Sequence, residues 1–162
     1  MNIRSWRIVK SNRSKQLETI NGVEIPAAFN GGGASLYPGR WNSKGTPLVY
    51  TAESQSLATL EILVHLEDSF LLESFAIFPV EFSDKDLIIL DELPDNWREN
   101  PPNQKTRIIG DQWAKKNQSL VLGVPSSVIP NEMNYLINPY HPKVKHLKIG
   151  RPESFPFDAR LS

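Results

Sequence analysis

The chain has 162 residues, enough for one domain whose core buries roughly two-thirds of the unfolded surface. Its 18 Lys and Arg balance 18 Asp and Glu, and 40% of its residues are hydrophobic. This argues against a disordered chain and against a nucleic-acid binder that grips phosphates through a basic excess. The absence of cysteine removes disulfides, zinc–thiolate sites and cysteine nucleophiles, and no apolar run approaches the roughly 18 residues of a membrane span.

In chain order, residues 5–10 (SWRIVK) alternate as a first strand and set Arg7 among apolar neighbours. Residues 12–39 are mostly polar, end in a glycine cluster at 31–33, and read as a long loop. A short strand is expected at 48–51, after the Gly45-Thr46-Pro47 turn. The clearest helix is 54–66, with Ser54 as cap and apolar residues at 57, 60, 63, 64 and 66. Residues 74–82 form a strand that Pro79 should push to an edge or a bulge. A strand at 86–90, a proline-rich loop at 91–103 and a helix at 104–116 follow, and then strands at 120–125, 134–138 and 144–149. Strands and helices mix without βαβ alternation, so an α+β fold is expected over a doubly wound one. Lys143, Lys145, Lys148 and Arg151 read as a solvated tail. The first residues lack the apolar core of a secretory signal, which makes a cytoplasmic address the default.

Several motifs are missing. Gly31-Gly32-Gly33 would need glycine at 36 for a dinucleotide fingerprint, and the chain has Leu36. Gly39-Arg40-Trp41-Asn42-Ser43-Lys44 has the wrong spacing for a P-loop. His65, His141 and His146 show no metal spacing and read as surface or satisfied structural residues; no metal is expected.

The densest stretch is 39–65. At 100° per residue, Leu57, Leu60, Leu63 and Val64 take one broad side of the helix, and Ile62 and Leu66 much of the other. A helix this apolar should be packed on most sides. The remaining polar wedge, with Glu61, His65 and Asp68, faces either solvent, the commoner outcome, or a cleft, where a carboxylate needs partners. Taken alone, Tyr50 is a core or edge tyrosine, Arg40 a surface arginine stacked on a ring, and Ser126 a turn or cap serine.

Together these residues resemble the RES domain, named for its Arg, Glu and Ser. The first block runs Gly39-Arg40-Trp41-Asn42 through Gly45, Pro47 and Tyr50, then Ser54, Ser56-Leu57-Ala58 and Leu60-Glu61. The second runs Val124-Pro125-Ser126-Ser127 through Pro130, then 134–139 and His141-Pro142, and Trp6-Arg7-Ile8 is similar to the family's first strand. Two departures stand out: Pro38-Gly39 replaces the family's frequent Gly-Gly, and the stretch between Arg7 and Arg40 is long.

The resemblance implies a single RES domain over 1–162, with an ADP-ribosyltransferase-like split, mixed or antiparallel sheet and flanking helices. It implies Arg40, Glu61 and Ser126 (Ser127 if the register slips by one) as the named residues, with Tyr50 and Arg7 lining the same pocket. It further implies a toxin that binds NAD⁺ as substrate and breaks its nicotinamide–ribose bond. A helix-turn-helix (Xre-type) antitoxin would hold it in check, in a complex in which the toxin could pair as a homodimer. The residue types suit that task. Glu61 can stabilise positive charge on the ribose. Arg40 and Arg7 match a pyrophosphate. Tyr50 offers a face for the nicotinamide, and Ser126 a hydrogen-bonding group to orient substrate. Hydrolysis, phosphorolysis and ADP-ribosylation of a protein target are all compatible with these residues, and a non-catalytic interaction domain is the alternative from another class.

Overall fold

The computed structural model describes residues 1–66 and 73–161. The strands are β1 (Asn2–Lys10), β2 (Leu17–Ile20), β3 (Val23–Pro26), β4 (Val49–Ala52), β5 (Phe75–Ser83), β6 (Leu87–Ile89), β7 (Val121–Pro125), β8 (Met133–Ile137), β9 (Lys148–Ile149) and β10 (Glu153–Ser154). The helices are α1 (Gly32–Leu36), α2 (Gln55–Leu63) and α3 (Gln104–Lys115). Among the described residues, one sheet runs β10-β5-β1-β4-β8-β7-β6, with β9 also on β5, and β2–β3 stand apart as a hairpin. Every pairing in the large sheet is antiparallel except β6 with β7. This is the mixed, mostly antiparallel α+β fold expected from the sequence.

The sheet is split near its middle. β1 lies along β5 from Asn2↔Ser83 to Lys10↔Phe75, yet meets β4 only at Trp6↔Ala52. Beyond that pair the ladder is replaced by a side chain. Arg7 Nη1 donates to the Tyr50 carbonyl at 3.0 Å, and Arg7 Nε to the Ala28 carbonyl at 2.7 Å.

Period-two alternation assigns the two faces. One carries Val49, Phe78, Val80, Phe82, Val121 and Ile137 and is covered by Ile20, Ile25, Ala28, Phe29 and Val144. Leu48, Leu122, Val124 and Leu136, with Trp41, Trp113 and Ala114, form a second cluster; Ile8, Ala52, Leu57, Ala58 and Ile77 form a third. Both α2 and α3 therefore pack on the face that carries Tyr50 and Ala52. Burial of each such large side chain contributes about 1.5–3 kcal/mol.

Helix starts follow capping chemistry. The Ser54 hydroxyl accepts from Leu57 N at 3.1 Å, and the Asn103 side-chain Oδ1 from Lys105 N at 2.9 Å.

Several expectations need correction. Residues 12–39 are not a loop: they hold the β2–β3 hairpin, two 3-10 turns and α1. Helix α2 ends at Leu63 and buries only Leu57 and Ala58, while Leu60 and Val64 are exposed, so it is not packed on most sides. Asp68 lies outside the described residues. Pro79 does not put its strand at an edge. β5 is interior, and its outer partner changes from β10, ending at Ile77, to β9, starting at Val80, so the missing Pro79 N–H falls at the gap. Residues 144–149 are a 3-10 turn followed by a two-residue strand.

Candidate active site

Glu61 leaves α2 toward β8 and the end of β7. Its Oε1 accepts from Ser126 Oγ at 2.8 Å and its Oε2 from Asn134 Nδ2 at 2.8 Å. The solvent-facing orientation favoured by the helical wheel is therefore wrong: the carboxylate is turned inward and half-buried. Burial raises its pKa above the ordinary glutamate value, the bonds from Ser126 and Asn134 pull it down, and nearby Glu132 pushes it up; the net shift is upward.

The Ser126 hydroxyl is fully buried and has no capacity left over. It also accepts from Val128 N at 3.1 Å and Ile129 N at 3.2 Å, closing the 126–129 turn. Asn134 is fixed in the same way, because Nδ2 also donates to the Thr51 carbonyl at 3.1 Å. Ser127 supplies only a backbone contact: its carbonyl accepts from Arg98 Nε at 2.7 Å.

Tyr50 projects from β4 on the same face. Its hydroxyl donates to Asn42 Oδ1 at 2.6 Å and accepts from Trp41 N at 3.1 Å. Burial raises its pKa, so the hydroxyl remains a donor. Asn42 is fully buried and ties the 39–46 turn together: Oδ1 also accepts from Gly39 N at 2.9 Å, and Nδ2 donates to the carbonyls of Ala34 and Thr46 at 2.7 and 3.1 Å. The turn rests on α3 at Gly110, where a Cβ would stand 1.6 Å from the Trp41 carbonyl oxygen.

Arg40 is thus held by both neighbours. Its own carbonyl accepts from Thr106 Oγ1 at 2.7 Å, and its Nη1 donates to the carbonyls of Trp97 and Glu99 at 2.9 and 2.6 Å. Desolvation lowers its pKa, Tyr50 raises it, and Arg107 and Arg98 lower it further. Arg98, between the two carbonyls that Arg40 grips, reaches the Ser127 carbonyl. A continuous path therefore runs from Tyr50 through the 39–42 turn, Arg40, loop 97–99 and Arg98 to the Ser126 turn and Glu61.

Arg7 stands apart. It pairs with Phe78, belongs to the other face and lies over the Phe29 ring at 5.9 Å. Burial, then Arg13, lowers its pKa to about 10. Among the described residues it reaches the cluster through the Tyr50 carbonyl. Asn42 and Asn134 are polar residues that sequence reasoning passed over as site members; both stand in the motif blocks, and both are buried amides.

A surface depression of about 500 Å³ lined by Lys10, Ser11, Asn12, Glu73 and Ser74 shares no residue with this cluster. Among the described residues no helix is long and apolar enough to cross a membrane.

A split sheet, with a half-buried carboxylate and a cation-bearing turn on one face, places the chain first in a structural class. It superposes on a chain of the Mycobacterium tuberculosis MbcT–MbcA toxin–antitoxin complex with a TM-score of 0.73, over 96% of this chain and 85% of that one, at 13% identity. Sequence then gives the family: residues 4–158 match the RES domain, and the chain belongs to the RES domain family. It is 42% identical over 140 residues to a protein named Toxin Res from Yersinia enterocolitica, covering 85% of this chain and 92% of the relative. It is 32% identical over 161 residues to a Prs ADP-ribosylating toxin from a Sphingobium species, covering 96% and 94% respectively.

Proposed function

We propose that this protein is the toxin of a toxin–antitoxin pair, and that it binds NAD⁺ and cleaves the bond between nicotinamide and ribose. The observation that carries the proposal is the Glu61 carboxylate, half-buried and gripped through both oxygens by neutral donors, with no ion pair among the described residues. A carboxylate neutralised by a salt bridge would have little charge to offer. One held by neutral donors keeps its charge for an incoming cation.

Breaking the N-glycosidic bond leaves positive charge on the ribose, while nicotinamide departs as a neutral molecule. Glu61 stabilises the developing cation and can hold a ribose hydroxyl. Its role requires the ionised form, which Ser126 and Asn134 favour against the cost of burial. Arg40 receives the pyrophosphate with the donors it does not spend on Trp97 and Glu99. The Tyr50 ring borders the nicotinamide, and Arg7 supports that ring from behind through the Tyr50 carbonyl. Water as acceptor gives ADP-ribose, nicotinamide and a proton; phosphate gives phosphorolysis.

Purified protein should deplete NAD⁺, and Glu61→Gln should cut the loss to a small residual rate. Product analysis with and without phosphate identifies the acceptor. Unchanged NAD⁺ beside intact growth arrest would reject the proposal.

A second reading rests on the Sphingobium relative, whose name describes ADP-ribosylation. A protein side chain would then be the acceptor after the same first half-reaction, and labelled NAD⁺ would mark a target band. In either case the whole chain acts as one RES domain in the cytoplasm. A helix-turn-helix antitoxin of Xre type encoded alongside it holds it inactive, with a homodimer of toxin inside the complex.

A further inference from the structure

Three arginines are linked through neighbouring stretches of backbone, and Arg107 and Arg98 both lie close enough to Arg40 to act on its charge. Arg40 Nη1 donates to the carbonyls on either side of Arg98, those of Trp97 and Glu99. Arg107 Nε donates at 3.0 Å to the carbonyl of Gly39, the residue before Arg40. Arg98 reaches back with Nε and Nη2 to the carbonyls of Ser127 and Val128 at 2.7 and 3.4 Å. Each contact is to a neutral carbonyl. Among the described residues none of the three forms a salt bridge.

Like charges gathered without a direct ion pair among the described residues repel one another, so folding alone gives little reason to collect them. Among the described residues the geometry also leaves donors free: Nε and Nη2 on Arg40, both terminal nitrogens on Arg107, and Nη1 on Arg98. The carbonyl bonds fix the orientation of each fork without using it up.

We propose that Arg98 and Arg107 complete, with Arg40, a cradle for a pyrophosphate group, and that this cradle selects a phosphate-bearing dinucleotide over a bare nucleoside. The inference rests on the NAD⁺ reading above and extends it to two residues outside the RES signature. Because Arg98 also holds the Ser127 carbonyl, one residue from the serine that clamps Glu61, loading the cradle bears directly on the loop that sets the catalytic carboxylate.

The test is calorimetric titration of the intact chain with ADP-ribose and with adenosine, comparing the native protein with Arg107→Ala and Arg98→Gln. Each arginine lost should weaken ADP-ribose binding roughly tenfold or more, the scale of a charged hydrogen bond, and leave adenosine binding unchanged. Arg107→Lys, which keeps charge but not the fork, should fall between. Arg98 is exposed, so its variant stays informative if Arg107→Ala unfolds. Native-like ADP-ribose affinity in both variants would overturn the cradle while leaving the NAD⁺ reading intact. Equal weakening toward ADP-ribose and adenosine would also overturn it, as general damage. A native protein that neither binds ADP-ribose nor consumes NAD⁺ would remove both.

Discussion

Ser126→Ala separates a serine that touches substrate from one that serves the carboxylate. The hydroxyl donates to Glu61 and accepts two backbone N–H groups in a fully buried site. Removing a bond to a charged group costs about 1.5–3 kcal/mol, and stranding buried amides costs a further 1–3 kcal/mol or so, partly relieved by relaxation. A net loss of about 2–4 kcal/mol lowers the melting temperature by roughly 5–15 °C for a chain of this size. The proton linkage adds a direction. The Glu61 pKa is already raised because burial outweighs its two donors, and deleting a donor to the ionised form raises it further, by about one unit for each 1.4 kcal/mol. Under the proposed reaction, NAD⁺ cleavage measured from pH 4 to 9 should therefore keep its alkaline plateau but lose activity from the acid side at a higher pH than in the native protein. A group with a raised folded-state pKa contributes stability that is present below the ordinary carboxylate range and lost as pH rises through the folded pKa. The melting-temperature deficit of the variant should accordingly be larger at pH 8 than at pH 4. An acid limb that stays put or moves down, or a deficit greatest at low pH, would refute the assignment of Ser126 to Glu61.

Tyr50→Phe removes the bond that joins β4 to the Asn42 turn; thermal melts should show about 1–2 kcal/mol of destabilisation, and the Km for NAD⁺ should rise through the loosened Arg40. Gly110→Ala drives a methyl group into the Trp41 carbonyl; denaturant titration should show at least about 3 kcal/mol lost, or no folded protein at all. In the double variant Ser126→Ala with Glu61→Gln, kcat should fall no lower than in Glu61→Gln alone, because the serine acts through the glutamate; additive losses would show that it meets substrate directly.

Much of the architecture was legible because its signals are local. Ser54 and Asn103 cap the two longer helices, as their residue types require, and the alternation of residues 5–10 placed β1. The β2–β3 hairpin is a different case. Three of the four residues of β2 are exposed, so no apolar alternation marks it. Its turn carries the Asn21-Gly22 pair with φ of 50° and 78°, the two-residue turn that joins such strands, and that dipeptide is a readable signal inside a polar stretch. The inward orientation of Glu61 was not legible, since the wheel places a carboxylate on a wedge but cannot say what faces it. The answer comes from Ser126 and Asn134, which are 65 and 73 residues away in sequence. Arg7 shows another limit: motif likeness put it near Tyr50, and it does donate to the Tyr50 carbonyl, but the sequence did not say that strand parity would bring it there from the opposite face.

The three letters that name the family therefore do not stand for three equivalent groups. Ser126 has spent its hydrogen on Glu61 and its lone pairs on two amides, so it has nothing to offer a ligand without releasing the carboxylate. Arg40 has spent one terminal nitrogen on loop 97–99 and keeps the rest of its fork. Glu61 carries a charge that forms no ion pair among the described residues. Under the proposed chemistry the hierarchy follows directly: the glutamate meets the reacting ribose, the arginine sets where the anionic part of the substrate lies, and the serine fixes the carboxylate in place. A buried ionised group that raises the free energy of the empty fold gains a compensating partner only when a cation forms beside it. That difference between empty and reacting states is what allows a carboxylate held by neutral donors to accelerate bond cleavage rather than merely to bind.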